Sequence, residues 1–196
     1  MSHPTEGSEP LKADRRYTYA DYLTWPDDER WELIRGTAYS MSPAPRREHQ
    51  GLAGLVYRAF AEGPAGHGCK SYISPIDVFL NAQDEHLDNE DTVVQPDVVV
   101  VCDPSKLIPE GIKGPPDLVV EVISPATAMR DQSEKRELYE RAGVREYWIA
   151  NPTTLEVLVY VLKDGRYGLP TPASLTDGVR SRIFPDLVVR ARKDDL

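Results

Sequence analysis

Two stretches of the chain are nearly continuous in apolar, β-branched residues: Val93-Val94-Gln95-Pro96-Asp97-Val98-Val99-Val100-Val101 and Asp117-Leu118-Val119-Val120-Glu121-Val122-Ile123. A strand with one wet face alternates apolar and polar positions, whereas unbroken runs of this kind are buried on both faces. They therefore predict two strands at the centre of a sheet. Residues 31–35 and 37–41 read as a hairpin about Gly36, closed by Ser42-Pro43-Ala44-Pro45. Over residues 46–62, Leu52, Leu55, Val56, Ala59 and Phe60 recur at helical spacing, and Gly63-Pro64 ends the pattern. Strand-like segments at 69–74 and 76–80 precede the first valine run, and a Pro- and Gly-rich loop at 104–116 separates the two runs. Residues 131–141, with Leu138 and Tyr139 and a stop at Gly143, predict a helix across the central strands. Strands follow at 146–150 and 155–162, then a hairpin through Asp164-Gly165 to Tyr167, and a last strand at 184–189. A short helix over 19–25, capped by Thr18 with Asp21 and ended by Pro26, predicts a lid on one sheet edge.

This alternation, without internal repeats, is that of an α/β chain: one mixed sheet with helices on its faces. Residues 1–16 are polar, carry Pro4, Gly7 and Pro10, and predict a disordered tail before a single domain at 17–196. No apolar stretch approaches the roughly 20 residues of a spanning helix, and residues 1–16 lack the apolar core of a signal peptide. The expected address is the cytoplasm, with no membrane partner. Cys69 and Cys102 lack CxxC spacing and read as reduced, buried thiols. The net charge of −9 counts against phosphate binding, but the acidic stretch 84–91 reads as a solvated or mobile loop and leaves the rest less acidic.

The chemistry is concentrated where charge interrupts the apolar runs. An ionised Glu121 inside the second run is costly unless a cation or several donors meet it, and Asp97 stands at the mouth of the first run in the same way. If the two strands are neighbours, both acids face one cation. Few carboxylates plus water suit a hard ion, Mg²⁺ or Mn²⁺, and no His/Cys cluster for zinc is present. Lys135, 14 residues after Glu121 on the predicted helix, can reach back to orient an attacking water or stabilise phosphoryl charge. The competing reading is a structural ion pair of these acids with Lys135 or an arginine. Glu32 on its own reads as a strand-edge charge beside Arg30 and Arg35. His49 and Gln50 are secondary candidates, as phosphate-contacting or plain helix-surface residues, and so is Asp77, as an acid that supports the metal-binding carboxylates from behind or as a turn residue. Asp117 reads as a loop cap.

Several segments together resemble the Uma2 family within the PD-(D/E)XK, restriction-endonuclease-like fold: Trp31-Glu32-Leu33-Ile34-Arg35-Gly36, Met41-Ser42-Pro43-Ala44-Pro45, His49-Gln50, Gln95-Pro96-Asp97, residues 116–125 and Gly143-Val144-Arg145-Glu146-Tyr147-Trp148. The resemblance implies a Mg²⁺-dependent nuclease fold with Asp97 and Glu121 as metal ligands, Lys135 as a displaced catalytic lysine and Glu32 as an added acid. It departs from the superfamily at Ile123, two residues after Glu121, where the general pattern has the lysine. The implied activity is endonucleolytic hydrolysis of DNA phosphodiesters. A homodimer is expected by fold analogy, since one such site cuts one strand. The alternatives are a catalytically inactive nuclease-fold module that binds nucleic acid or a protein partner, and a hydrolase of a smaller phosphate ester.

Overall fold

A computed structural model describes residues 15–26, 29–41, 45–63, 68–82, 86–125 and 128–196. The hairpin follows from its turn: Arg35 (φ 52°) and Gly36 (φ 77°) are both left-handed, the two-residue geometry that matches the twist of antiparallel strands. It joins β1 (Trp31–Ile34) to β2 (Thr37–Ser40), with helix α1 (Tyr19–Tyr22) before it and α2 (Arg47–Glu62) after it. Then come β3 (Lys70–Ile73), β4 (Asp77–Phe79), β5 (Val93–Val94), β6 (Val98–Val101), β7 (Leu107–Ile108), β8 (Gly111–Lys113) and β9 (Leu118–Val122). A helical stretch follows, built from α3 (Ala128–Arg130), a π-helical turn (Asp131–Lys135) and α4 (Arg136–Ala142). The strands β10 (Glu146–Ala150), β11 (Glu156–Lys163), β12 (Arg166–Tyr167), β13 (Thr171–Ser174), β14 (Val179–Arg180) and β15 (Val188–Val189) complete it.

In place of one sheet, the described strands form two main sheets and a small antiparallel pair, β14–β15. One has the order β2-β1-β5-β4-β8-β7, and the other β12-β11-β10-β9-β6-β3 with β13 on β11. The first valine run is therefore not one strand. Pro96 has no N–H to offer a ladder, and there the chain leaves β5 in the first sheet and enters β6 in the second. The second run is central as expected: β9 lies between β6, antiparallel, and β10, parallel, and all five of its residues are buried. Within the loop expected at 104–116, β7 and β8 form a hairpin, with β8 parallel to β4. A Cβ at Gly111 would stand 2.2 Å from the Asp77 carbonyl oxygen, so this approach requires glycine.

The expected reduced thiols are also corrected. Cys69 and Cys102, one step beyond the Lys70–Val101 pair, form a disulfide. That pairing comes from the β3–β6 register, which the spacing of two cysteines does not reveal. The acidic stretch differs from a mobile loop over its described part: the carbonyls of Asp88, Glu90 and Asp91 accept from Ala20, Tyr19 and Gly36, and Leu87 is buried. Asp84 and Glu85, and residues 1–14 of the expected tail, lie outside the described residues. Arg15 and Arg16 pair with Asp21 and Asp91. The short helix ends at Tyr22 rather than at residue 25, and it packs on the interior strand β4 rather than on a sheet edge, with Tyr19 edge-on to Phe79 at 4.8 Å.

The second sheet is covered on both faces. Leu52, Val56 and Phe60 of α2 pack on Val98, Val120 and Trp148, whereas Leu138 and Tyr139 of α4 pack on Val99, Val119 and Tyr147. Strand alternation puts Glu121 on the Val119 face, beneath the helical stretch 128–142. Among the described residues no helix is long and apolar enough to cross a membrane.

The last strand is shorter than expected because Glu146 holds the segment before it. Its fully buried carboxylate accepts from Trp148 Nε1 (2.7 Å), Ser181 Oγ (2.8 Å) and the N–H groups of Arg182 (2.9 Å) and Ile183 (3.0 Å). An amide there would turn two donors toward donors. Glu146→Gln is expected to cost about 2–3 kcal/mol in urea unfolding, against no change at an exposed control such as Glu156→Gln.

Candidate active site

The site forms where the chain crosses between the sheets. Asp97 immediately precedes β6, one step beyond the Val98–Val120 pair, and so stands opposite Glu121 on β9. Its Oδ2 accepts from the Val122 N–H at 2.7 Å and lies 3.4 Å from His49 Nε2 of α2. Glu121 Oε1 accepts from Lys135 Nζ at 2.9 Å and from the Tyr139 hydroxyl at 2.7 Å. Lys135 also donates to Glu32 Oε1 at 2.8 Å, and that oxygen accepts from the Gln95 N–H at 2.9 Å. One ammonium thus ties β1 of the first sheet to β9 of the second. The π-helical turn aims Asp131 into the same cluster, 4.0 Å from Lys135 Nζ, and such turns are enriched at functional sites.

Burial makes this charge balance consequential, since Glu32, Glu121, Asp131 and Lys135 are each at most 4% exposed. Burial opposes the charge of Lys135, but Glu121, Glu32 and Asp131 override it and hold its pKa above the ordinary lysine value. Burial likewise pushes Glu32 up, yet the Lys135 charge, the Lys135 hydrogen bond and the Gln95 N–H bring it below the ordinary value. Asp97 is pushed up to about 6 by burial and then by the charge of Glu121, against the pull of His49 and the Val122 N–H. Glu121 is pushed up to about 7 by burial, with Asp131 and Glu32 adding to the rise and Lys135 and the Tyr139 hydroxyl opposing it. Lys135 is thus spent on Glu32 and Glu121 while Asp97 and Glu121 repel each other. The pair is short of positive charge.

Glu32, Asp97, Glu121 and Lys135 are therefore brought together, and His49 joins them. Gln50 does not, because it turns to the exposed side of α2. Asp77 stands apart on β4, accepting from Gln95 Nε2 at 2.8 Å, and burial raises its pKa. Asp117 caps a loop as expected, accepting from the Cys102 N–H (2.8 Å) and Arg145 (3.0 Å). Sequence reading missed Asp131, Tyr139 and Gln95. The signal for the first two was present: they stand four residues before and after Lys135, on its own helical face. Tyr139→Phe removes a donor that lowers the Glu121 pKa. The acid limb of any pH–activity profile is expected to move to higher pH in this variant, with global stability down by about 1–2 kcal/mol.

Among the described residues, no three His, Cys, Asp or Glu side chains converge into a cage for an ion. Two opposed carboxylates with excess negative charge nevertheless fit Mg²⁺, which keeps several waters and binds through few protein oxygens.

Comparison with known proteins follows the same line. The Uma2 family model, described as "Putative restriction endonuclease", matches residues 19–192. The chain is 26% identical over 147 residues to "Uncharacterized protein slr1290" of Synechocystis sp., covering 74% of this chain and 73% of that protein. Its fold is similar to that of a crystal structure from Anabaena variabilis described as "a putative nuclease belonging to DUF820". There the TM-score is 0.68 at 16% identity, covering 88% of this chain and 94% of the other.

Proposed function

Because this chain belongs to the Uma2 family, we propose that it is a metal-dependent endonuclease that hydrolyses DNA phosphodiesters. The observation that carries the reading is the Asp97–Glu121 pair across β6 and β9, with Lys135 2.9 Å from Glu121. Lys135 also accounts for Ile123, which departs from the superfamily pattern: the ammonium comes from the helical stretch over the sheet rather than from the strand.

In this reading Asp97 and Glu121 hold Mg²⁺ or Mn²⁺. Among the described residues, the donors to Glu121 meet Oε1 and those to Asp97 meet Oδ2, so Oε2 and Oδ1 are the oxygens that would serve an ion. An ion held there would supply a Lewis acid to a phosphoryl oxygen and a lowered pKa to an attacking water. Lys135 fixes the carboxylates of Glu121 and Glu32 and keeps a positive charge beside the phosphoryl group as negative charge builds there. Glu32 holds Lys135 protonated and joins the Gln95 N–H to the site. His49 orients Asp97 from the α2 side. Two copies related by a two-fold axis would address both strands of a duplex.

The test is plasmid nicking at low salt with Mg²⁺ or Mn²⁺ for the full chain and for Asp97→Ala, Glu121→Ala and Gln50→Ala. Nicking by the full chain and by Gln50→Ala, lost in the other two, is the expected result. Salt-sensitive DNA binding without metal-dependent nicking would replace the enzyme with a nuclease-fold binding module.

A further inference from the structure

We propose that the cavity beside the site is a guanine pocket that receives the base next to the scissile phosphate. The inference rests on the nuclease reading for the delivery of that base. The cavity, about 460 Å³, lies between β3, β4 and the β7–β8 hairpin and is lined by Tyr72, Ile76, Asp77, Gln95, Leu107 and Ile108 among others. Its volume is in the range of roughly 300–1,000 Å³ of small-ligand sites, and its walls mix apolar and aromatic side chains with the amide of Gln95, the held carboxylate of Asp77 and the exposed carboxylate of Glu110.

Gln95 joins the cavity to the cluster around Lys135. Its N–H bonds Glu32 at 2.9 Å, its Nε2 bonds Asp77 at 2.8 Å and Tyr22 at 3.2 Å, and its Oε1 accepts from Arg30 Nη2 at 2.7 Å and Nε at 3.1 Å. Arg30 in turn donates to Ser74 Oγ at 2.7 Å. The amide is fully engaged, so it cannot turn to a ligand, and it fixes the orientation of Asp77. A carboxylate has about four lone-pair sites, and the Gln95 bond to Oδ1 uses one.

A held carboxylate in a part-apolar pocket selects among bases by donor pattern. Guanine presents N1–H and the N2 amine side by side, a fork that a carboxylate accepts with both oxygens. Adenine and cytosine place a ring acceptor beside their single amine, and thymine flanks its N–H with two carbonyls, so each turns a lone pair toward the carboxylate. Tyr72 adds an aromatic wall on which any base can stack, and the carboxylate supplies the choice.

The test titrates guanosine, inosine, thymidine and xanthosine 5′-monophosphates calorimetrically into the full chain in EDTA, and into Asp77→Asn. Guanosine monophosphate is expected to bind at least tenfold more tightly than the inosine and thymidine compounds. In Asp77→Asn that preference is expected to fall at least tenfold and pass to xanthosine monophosphate, whose O2 accepts from the new amide while N1–H still donates to it. The gain of xanthosine binding also shows the variant to be folded. Equal binding of guanosine and thymidine monophosphates, or unchanged guanosine binding in Asp77→Asn, overturns the proposal. Should Asp77→Asn fail to fold, Ile108→Trp, which fills the cavity, is expected to abolish guanosine binding, and retained binding overturns it. The two readings fail separately. A guanine preference without metal-dependent nicking keeps the pocket and removes the nuclease, whereas nicking without the preference does the reverse.

Discussion

Lys135→Met is expected to cost the folded state about 3–5 kcal/mol at pH 8, with most of the loss recovered at pH 5. The variant leaves Glu32, Glu121 and Asp131 buried around an apolar side chain in place of the ammonium that holds the first two at 2.8 and 2.9 Å. Without it, burial and mutual repulsion raise the folded-state pKa of these carboxyls above the unfolded values near 4. A group raised in the folded state contributes its stability below the unfolded pKa and loses it as pH rises through the folded one. The penalty therefore appears on the alkaline side. Urea unfolding at the two pH values measures it, and an equal loss at both would mean that packing rather than charge is what Lys135 supplies. Nicking is expected to be lost in this variant at either pH.

Asp97→Asn is expected to separate activity from stability. Nicking should fall by about 10³-fold or more through loss of a ligand oxygen. In EDTA at pH 8 the variant should nevertheless be more stable than the wild type. Asp97 rises from 3.8 unfolded to about 6 folded, so its ionisation costs folding roughly 3 kcal/mol once pH has passed 6, and nothing below pH 4. An amide removes that cost and can still accept from Val122 N–H. Mg²⁺ should supply the same gain to the wild type, about 2.7 kcal/mol at 100 times its Kd. Thermal melts of both proteins, with and without the ion, read these two effects, and a variant less stable than the wild type in EDTA would contradict the charge account.

Asp97 and Glu121 were legible because a charge inside or at the mouth of an apolar run needs compensation, and Lys135 because the predicted helix carries it back over the sheet 14 residues after Glu121. Glu32 entered through the Uma2 resemblance. What stayed hidden depends on register. The Val98–Val120 pairing sets Asp97 against Glu121, and the same ladder set brings Cys69 to Cys102, but neither offset is written in local composition. Pro96 is masked by the four valines that follow it, although at its missing N–H the chain passes from one sheet to the other. The β7–β8 hairpin was hidden by the Pro and Gly residues that permit its close approach to β4. Gln95, Tyr139 and Glu146 are ordinary residue types whose importance lies in their partners. Only the fold supplies those.

The most direct test of the central claim is a calorimetric titration of Mn²⁺ into the full chain at pH 7.5, alongside Asp97→Ala and Glu121→Ala. One saturable site in the wild type, absent from both variants while each remains folded by circular dichroism, is the predicted result. Heat that is the same in all three proteins would contradict it, and would leave Glu32, Lys135 and Glu121 as an ion-paired clasp between the two sheets.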